Sequence, residues 1–283
     1  MNKITLKSPA KINLALKIKE KRKDGYHEIE TIMQTIDLSD KVTIKKKNKG
    51  ITVKTNIEAL NNKENIAYKA LLEMKKYIGN DGIEIYIEKN IPIGSGLGGG
   101  SSNAATVIKG INKLFNLSLD NDTLYEIAEK LGSDVPFFIL GGTSFVTGRG
   151  DIIKKLPDLD EFYVVIVNPN FKISAAWAYT EYDKLNKKSN NSLKHLINLI
   201  KNKKDITWQE GWENDFEEVI FKNYPELLII KEKLKELGAL FVLLSGSGPS
   251  IYGIFKNKKQ AQKVKMNWPR KDLVIVTKTK TLI

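Results

Sequence analysis

The glycine-rich segment at residues 91–106 is the part of the sequence whose composition most clearly calls for a chemical role. It reads Ile-Pro-Ile-Gly-Ser-Gly-Leu-Gly-Gly-Gly-Ser-Ser-Asn-Ala-Ala-Thr. Glycines let backbone N–H groups approach a ligand closely and adopt positive φ angles at little cost. Ala104, Ile108 and Ile111 then recur at helical spacing, so Ser101 and Ser102 should open a helix. The N-terminus of a helix carries about half a positive charge and favours anions, most often phosphate.

Two phosphate-binding motifs can be compared with this segment. A P-loop requires a lysine after its second glycine, but Gly94-x-x-x-x-Gly99 is followed by glycine and serine. Gly94, Gly96 and Gly99 do satisfy the dinucleotide pattern Gly-x-Gly-x-x-Gly, with Asp120 as a candidate ribose-binding acid. A dehydrogenase is nevertheless disfavoured, because the segment follows strands that look antiparallel instead of opening a βαβ series.

Five further positions carry side chains suited to catalysis or recognition. Lys11 and Asn13 are two residues apart and should share one face of a strand. Tyr26 and His27 follow an Asp-Gly turn and offer an aromatic face and a hydrogen-bonding ring, as recognition of a base requires. Asp134 precedes an apolar run, where a lone acid is either a cap or a working group. The structural alternative for Lys11 is a solvated lysine of a strand. The structural alternative for Tyr26-His27 is a packed surface pair.

The spacing of apolar residues predicts the strands and helices that position these residues. Alternation indicates a strand, and recurrence every three or four residues indicates a helix. The expected strands are 4–19, 28–36, 41–47, 51–55, 83–88, 143–146, a strand around Ile152, 162–167, 239–244, 251–255 and 273–277. The expected helices are 65–77, the helix after the glycine-rich segment, 123–131 with Thr123 as its cap, 174–185, 192–200, 214–237 broken at Pro225, and 256–266. A second small-residue loop, Ser-Gly-Ser-Gly-Pro-Ser at 245–250, separates two of the strands.

The composition argues against several classes of function. The net charge is +13, but only three of the 46 basic residues are arginine and the lysines are scattered, so a nucleic-acid partner is not expected. The absence of cysteine excludes disulfides and thiol chemistry, and the two histidines, distant in sequence, disfavour a histidine-rich metal site. No export signal or membrane-length apolar run is visible, so we expect a soluble, cytoplasmic protein without a membrane partner.

Five motifs, in one order along the chain, resemble a known family of kinases. Pro-Ile-Gly-Ser-Gly-Leu-Gly-Gly-Gly-Ser-Ser at 92–102 resembles the phosphate loop of the galactokinase, homoserine kinase, mevalonate kinase and phosphomevalonate kinase (GHMP) superfamily. Pro-Ala-Lys-Ile-Asn-Leu at 9–14, Asp-Gly-Tyr-His at 24–27, Leu-Gly-Ser-Asp-Val-Pro-Phe-Phe at 131–138 and the loop at 245–250 resemble the members that act on 4-diphosphocytidyl-2-C-methyl-D-erythritol. The resemblance spans nearly the whole chain.

The resemblance implies a fold and a reaction. The fold would be α+β, with an N-terminal ribosomal-protein-S5-like domain at 1–157, a C-terminal α+β domain at 158–283 and the active site in the cleft between them. ATP, with Mg²⁺, would phosphorylate the 2-hydroxyl of the erythritol moiety, a step of the non-mevalonate isoprenoid pathway. The substrate would therefore be a small molecule that carries a cytidine diphosphate group. Neither the metal ligands nor the oligomeric state follow from the sequence.

The resemblance also implies roles for individual residues. Asp134 would be the catalytic aspartate and Lys11 its lysine partner, which would keep Asp134 ionised and balance negative charge during transfer. The implied substrate-binding residues are Asn13, Tyr26, His27, Tyr179, Gly246 and Ser247, with Tyr26, His27 and Tyr179 around the cytosine. The implied ATP-binding residues are Pro92, Ile93, Gly94, Ser95, Gly96, Leu97, Gly98, Gly99, Gly100, Ser101, Ser102, Asn65 and Lys89.

Two alternative functions remain open at this point. A homoserine or mevalonate type of kinase is the alternative within the superfamily, and the pair Tyr26-His27, with the cytosine that it implies, separates it from the first. A non-enzymatic protein that binds nucleotides or nucleic acid is the alternative outside the superfamily. It predicts that Asp134 is dispensable.

Overall fold

The computed structural model describes residues 2–187, 192–202, 208 and 211–280, and their mixture of helices and strands confirms the predicted α+β class. The strands are β1 (Lys3–Lys21), β2 (His27–Lys47), β3 (Ile51–Thr55), β4 (Gly82–Glu88), β5 (Thr143–Thr147), β6 (Ile152–Lys155), β7 (Tyr163–Asn168), β8 (Phe241–Leu244), β9 (Ile251–Phe255) and β10 (Leu273–Lys278). The helices are α1 (Ile66–Lys75), α2 (Gly99–Phe115), α3 (Asn121–Glu129), α4 (Val135–Leu140), α5 (Ala175–Asp183), α6 (Lys194–Lys201), α7 (Phe216–Asn223), α8 (Pro225–Glu236) and α9 (Lys258–Met266).

A first compact unit contains residues 2–10, Leu38–Ile91 and Gly98–Gly141. In it β2 pairs antiparallel with β4, and β3 pairs parallel with β4. The alternation predicted for β4 is confirmed, because its three isoleucines are buried and its outward residues are not. Helix α2 packs closely on this sheet: a Cβ on Gly110 would collide with Ile44 Cδ1 and lie 3.1 Å from Leu6 Cδ1. Glycine therefore permits the close approach of helix to sheet.

A second compact unit contains Lys11–Asp37, Pro92–Leu97 and the described residues from Gly142 onward. Strands β1 and β2 form a hairpin here, closed by a hydrogen bond from Arg22 N to Tyr26 O (2.7 Å). β2 also pairs with β5, and β5 with β6. A separate antiparallel sheet has the order β10-β7-β9-β8. Its buried core joins residues of β7, β9, α5, α7, α8 and α9, among them Val165, Phe255, Ala178, Phe216, Ile230 and Val264.

Several element boundaries differ from the predictions, and helix α4 was not predicted; three of the differences have local reasons. β2 is one continuous strand, because different neighbours, β5 and then β4, pair with its two halves. α2 begins at Gly99, directly after Gly98 in the left-handed conformation. α3 begins at Asn121, because the carboxylate of Asp120, and not Thr123, caps it by accepting the N–H of Thr123 (2.9 Å). This cap gives Asp120 a structural role in place of the ribose-binding one considered for a dehydrogenase.

The two units are not consecutive in sequence, since each is assembled from separate stretches of chain. The single cut between residues 157 and 158 therefore stays a prediction. Among the helices in the described ranges, none combines the length and the apolar composition that a bilayer-spanning segment requires.

We predict that Gly110→Ala and Ile44→Val compensate each other. Alanine is favoured over glycine in a helix by about 1 kcal/mol, but here its Cβ would collide with Ile44 Cδ1. Ile44→Val removes that atom and alone should lower the unfolding free energy by about 1 kcal/mol. Urea titrations of the two single variants and the double variant should therefore show favourable coupling. Ile152→Val, at an exposed position, is the control and should add to Gly110→Ala without coupling. Simple additivity for the Ile44 pair would contradict the packing described.

Candidate active site

The glycine-rich segment and the small-residue loop 245–250 meet backbone to backbone in the second unit. Ser245 Oγ donates to the carbonyl of Gly96 (3.0 Å), and Ser250 N–H donates to the carbonyl of Ser95 (3.3 Å). A Cβ on Gly96 would overlap the Ser245 carbonyl oxygen, and the φ of Gly96 is +78°. Only glycine satisfies both conditions. Packing against the loop 245–250 therefore requires glycine at residue 96, whatever ligand the segment binds.

Lys11 and Asn13 lie beside this junction, on one face of β1 as their spacing predicts. Lys11 N–H donates to the carbonyl of Leu97 (3.0 Å), and Lys11 Nζ donates to Asn13 Oδ1 (2.6 Å). Asn13 Nδ2 in turn donates to Thr31 Oγ1 (2.9 Å). A Cβ on Gly246 would lie 3.5 Å from both Lys11 Nζ and Asn13 Oδ1. A buried ammonium and a buried amide thus converge at a position that has no side chain of its own.

Asn214, which the sequence analysis did not single out, holds the small-residue loop in place. Its Nδ2 donates to the carbonyls of Leu244 (2.8 Å) and Gly246 (2.7 Å), and its Oδ1 accepts from Phe216 N–H (3.0 Å). Asn214 is 4% exposed. Replacement by an apolar residue would leave two buried carbonyls without these donors.

The segment that carries Asn214 is fixed to β1. Leu16 N–H donates to the carbonyl of Glu213 (2.8 Å), and Asp215 N–H donates to the carbonyl of Leu16 (3.0 Å). Lys17 Nζ reaches both carboxylates, at 2.5 Å from Glu213 and 3.1 Å from Asp215. Burial acts to lower the pKa of Lys17, but the two carboxylates outweigh it and raise that pKa. β1 therefore carries Lys11 and Asn13 and also anchors the segment that holds Gly246.

The start of α2 in the first unit presents the features of an anion site. Gly94, Gly96 and Gly98 all have positive φ, and alternation of such residues makes backbone N–H groups converge. Gly98 is the N-cap and has no side chain to occupy the first N–H groups, and no acidic residue lies in the first turn. These N–H groups have no intrahelical acceptor. The start of α2 is therefore suited to an anion.

A buried polar network supports the first turn of α2. Ser102 Oγ and Ser8 Oγ are 2.8 Å apart, and Asn103 Nδ2 donates to Ser8 Oγ and to Asp40 Oδ2, both at 2.9 Å. Lys89 Nζ forms an ion pair with Asp40 and donates to Asn103 Oδ1 (2.9 Å). Burial lowers the pKa of Lys89, and the attraction of Asp40 opposes this. The network orients the Ser102 hydroxyl and gives Lys89 a structural partner.

Asp134 lies in the first unit, immediately before α4, and its carboxylate does not cap that helix. Two residues earlier, a Cβ on Gly132 would lie 3.6 Å from Ile66 Cδ1, and a Cβ on Gly100 would lie 3.5 Å from Ile66 Cγ2. Ile66 is the first residue of α1. The backbone that leads to Asp134 therefore packs with the starts of α1 and α2, near the glycine-rich segment.

His27 is held by two residues of α5 in the second unit. Its ring stacks on that of Tyr179, with centroids 4.9 Å apart and an interplanar angle of 10°. His27 Nε2 lies 2.6 Å from Asp183 Oδ1, and Lys21 Nζ lies 2.6 Å from Asp183 Oδ2. Tyr26, in contrast, is 52% exposed, so it keeps a ring face available for stacking. At the observed separation no base fits between His27 and Tyr179.

The structure thus brings together some of the predicted site residues and gives others structural partners. Asn65 caps α1: its Oδ1 accepts from Ala67 N–H and its Nδ2 donates to the carbonyl of Leu60, both at 3.0 Å. Contacts of Asn65 and Lys89 with a nucleotide stay predictions. Asp183 could have been found from the sequence, because it stands four residues after Tyr179 and so shares its helix face. Asn214 gave no such signal, since its partners are backbone groups distant in sequence.

Two protein-family models match the stretches of chain that carry this site. The model described as GHMP kinases N terminal domain matches residues 65–142, and the model described as GHMP kinases C terminal matches residues 192–273. The first range includes α2 and Asp134, and the second includes Asn214 and the loop 245–250. The chain belongs to the GHMP kinases, which are ATP-dependent kinases of small molecules.

Individual GHMP kinases are similar to the chain over most of its length. The chain is 42% identical over 273 residues to a 4-diphosphocytidyl-2-C-methyl-D-erythritol kinase of Syntrophomonas wolfei. The matched residues cover 93% of each chain. A crystal structure of 4-(cytidine 5'-diphospho)-2C-methyl-D-erythritol kinase matches with a TM-score of 0.85 at 27% identity, over 99% of this chain and 100% of that chain. Homoserine kinase from Cytophaga hutchinsonii shares the fold, with a TM-score of 0.75 at 20% identity over 99% and 95% of the chains.

We predict that Gly96→Ala impairs the use of ATP, because its Cβ would push the glycine-rich segment away from the Ser245 carbonyl. The KM for ATP should rise by about tenfold or more, which corresponds to a loss of about 1.4 kcal/mol of binding. Gly238→Ala is the matched control: it also places alanine at positive φ, but in open space. It should cost stability through backbone strain, about 1–2 kcal/mol, and leave the kinetics unchanged. An unchanged KM and kcat in Gly96→Ala would refute the proposed constraint.

Proposed function

We propose that the chain transfers the γ-phosphoryl group of ATP to the 2-hydroxyl of 4-diphosphocytidyl-2-C-methyl-D-erythritol, a step of the non-mevalonate isoprenoid pathway. The observation that carries this proposal is the identity over nearly the full length with relatives that bear the name of this kinase. The base-binding features of His27 and Tyr26 support the same substrate, since neither homoserine nor mevalonate offers a base. The substrate is therefore the partner we propose, and a cytoplasmic location without nucleic acid stays a prediction.

The glycine-rich segment and α2 are suited to the phosphates of ATP. Phosphoryl transfer requires chiefly that donor and acceptor be held in line and that the spreading negative charge be neutralised. Backbone N–H groups at a helix start provide fixed positive dipoles for this charge. The ATP contacts that we propose are those of residues 92–102, with Asn65 and Lys89 as the less direct members of the set.

Asp134 and Lys11 are the residues that we propose act on the transferred group. A carboxylate can accept the proton of the substrate hydroxyl as it attacks, a contribution of about 10²–10⁴-fold in comparable reactions. An ammonium can offset the developing negative charge, and its hydrogen bond to Asn13 fixes its position. Gly246 and Ser247 are proposed to contact the same part of the substrate, since Gly246 adjoins Lys11 and Asn13.

The hairpin of β1 and β2 supports recognition at a distance from the transfer step. His27 and Thr31 lie on the same face of β2, and Thr31 contacts Asn13 beside Lys11. Four residues of a strand span about 13 Å. This is the scale of a nucleoside diphosphate between its base and the attached alcohol. We propose that Tyr26 and His27 bind the cytosine while Asn13 binds nearer to the reacting hydroxyl, and that Tyr179 completes the base site.

We include Mg²⁺ in the proposal, bound at a site to which the protein contributes few metal ligands. Among the residues described, no group of three or more acidic or histidine side chains could hold a metal ion. Mg²⁺ commonly retains waters and binds through substrate phosphates with one or two protein oxygens. Bound in this way it would neutralise charge on the ATP phosphates. Ser102, whose hydroxyl is fixed by Ser8, and Asp134 are the side chains that could contribute.

We predict that ADP release depends on the cytidine substrate. In a coupled assay, 4-diphosphocytidyl-2-C-methyl-D-erythritol should support turnover, whereas mevalonate and homoserine should not. His27→Ala should raise the KM for this substrate far more than the KM for ATP, because it removes a base contact and leaves the glycine-rich segment intact. Turnover of mevalonate or homoserine, or equal effects of His27→Ala on both KM values, would refute the assignment of substrate.

We also predict that Asp134→Asn lowers kcat by about 10²–10⁴-fold, with little change in the KM for ATP. The amide keeps the size of the carboxylate but cannot accept the proton. Lys11→Gln should lower kcat as well, and the double variant should be hardly worse than the poorer single variant, because groups that act in one step are not additive.

Lys89→Gln serves as a comparison for these two variants, since it also removes a buried ammonium. It should lower stability, because Lys89 pairs with Asp40, and as a less direct ATP contact it should change the KM for ATP more than kcat. Thermal unfolding measured for all four variants separates lost catalysis from lost folding. Full turnover by Asp134→Asn while ATP still binds would show that the mechanism is wrong.

A further inference from the structure

The imidazole of His27 is held on two sides by one face of helix α5. Tyr179 and Asp183 are four residues apart and therefore lie one above the other on the helix. Tyr179 covers a face of the ring, and Asp183 Oδ1 lies 2.6 Å from Nε2. His27 is only 7% exposed. Its orientation is therefore fixed, and the ring offers its edge, not its covered face, to a ligand.

The contacts of Asp183 determine which ring nitrogen carries the proton. Burial acts to raise the pKa of the Asp183 carboxyl, but hydrogen bonds from Lys21 and His27 outweigh it and hold that pKa below its ordinary value. An ionised carboxylate only accepts hydrogen bonds, so His27 Nε2 must be the donor. Lys21 Nζ, 2.6 Å from the other carboxylate oxygen, balances the charge of Asp183. In a neutral imidazole the single ring proton then lies on Nε2, where it is donated to Asp183.

The second ring nitrogen, Nδ1, is then left with a lone pair. Within the described part of the chain no hydrogen bond to Nδ1 is found, whereas Nε2 is engaged by Asp183. A neutral imidazole with its proton on Nε2 accepts at Nδ1 and cannot donate there. Cytosine and uracil differ along one edge: cytosine carries an amino group that donates beside a ring nitrogen that accepts, whereas uracil carries a carbonyl that accepts beside an N–H that donates.

We propose that Asp183 is a positioning residue that fixes His27 in the Nε2–H tautomer, so that Nδ1 accepts a hydrogen bond from the cytosine amino group and rejects uracil. The inference rests on the proposed function, because it assigns the selectivity of the same base site. Uracil would place its carbonyl lone pairs against the lone pair of Nδ1. Sites that must hydrogen-bond a group discriminate strongly against analogues that cannot supply it.

Two measurements test this inference, and the first needs no substrate. The chain has only two histidines, so ¹⁵N-histidine labelling gives spectra of two rings, and His195→Gln assigns them. At mildly alkaline pH the wild-type His27 ring should show a protonated Nε2 and an unprotonated Nδ1. Asp183→Asn should give a mixture of tautomers, because an amide can donate as well as accept. A protonated Nδ1 in the wild type, or an unchanged spectrum in Asp183→Asn, would overturn the proposal.

The second measurement compares kcat/KM for the cytidine substrate and for its uridine counterpart. Asp183→Asn should reduce the cytidine preference by about tenfold or more through KM, while kcat at saturating cytidine substrate stays close to that of the wild type. Glu181→Gln is the matched control: it makes the same carboxylate-to-amide change on the same helix, but its partner is Lys184. It should leave the preference unchanged.

The outcomes separate this inference from the proposed function. If the wild type does not turn over the cytidine substrate, the proposed function fails whatever tautomer His27 shows. If the wild type turns it over and Asp183→Asn retains the full cytidine preference, only the inference about Asp183 fails. If Glu181→Gln loses as much preference as Asp183→Asn, the effect belongs to the charge of α5 and the inference is also wrong.

Discussion

The contact between the backbones of Gly96 and Ser245 is the constraint on which much of the site depends. It permits no side chain at residue 96, and it fixes the glycine-rich segment against a loop that Asn214 holds by two carbonyls. The fully buried Tyr252 adds a hydrogen bond from its hydroxyl to the carbonyl of Asn13 (2.9 Å). Main-chain contacts therefore set the position of β1 and its Lys11. Such rigidity suits phosphoryl transfer, in which small displacements of reacting groups are costly.

The buried cations of this strongly basic chain serve different purposes. Lys17 and Lys89 are each matched by carboxylates, Glu213 and Asp215 for the first and Asp40 for the second, so their charges support structure. An uncompensated buried charge would be destabilising, and removal of one partner would expose that cost. Lys11 Nζ donates to the amide oxygen of Asn13 and lies beside Gly246, so its position bears on the candidate site.

Local patterns in the sequence predicted most elements of the fold, because apolar periodicity and turn residues act over short distances. The strand at β4, the break at Pro225 and the helix after the glycine-rich segment are examples. The cap by Asp120 was missed because Thr123 offered an equally plausible pattern. Asn214 and Asp40 could not have been identified, since their roles depend on backbone groups brought together only by tertiary folding. The resemblance of motifs supplied what periodicity could not, namely the chemistry.

The two units alternate along the chain, and this limits how the gene of the enzyme can recombine. The second unit draws residues from the beginning, the middle and the end of the chain, so no single crossover point separates it from the first. A recombinant gene joined near codon 157 would take the hairpin with His27 from one parent and α5, with Tyr179 and Asp183, from the other. His27 would then come from one parent, and the two residues that contact its ring from the other. Such an exchange would be tolerated only where these three residues had remained mutually compatible.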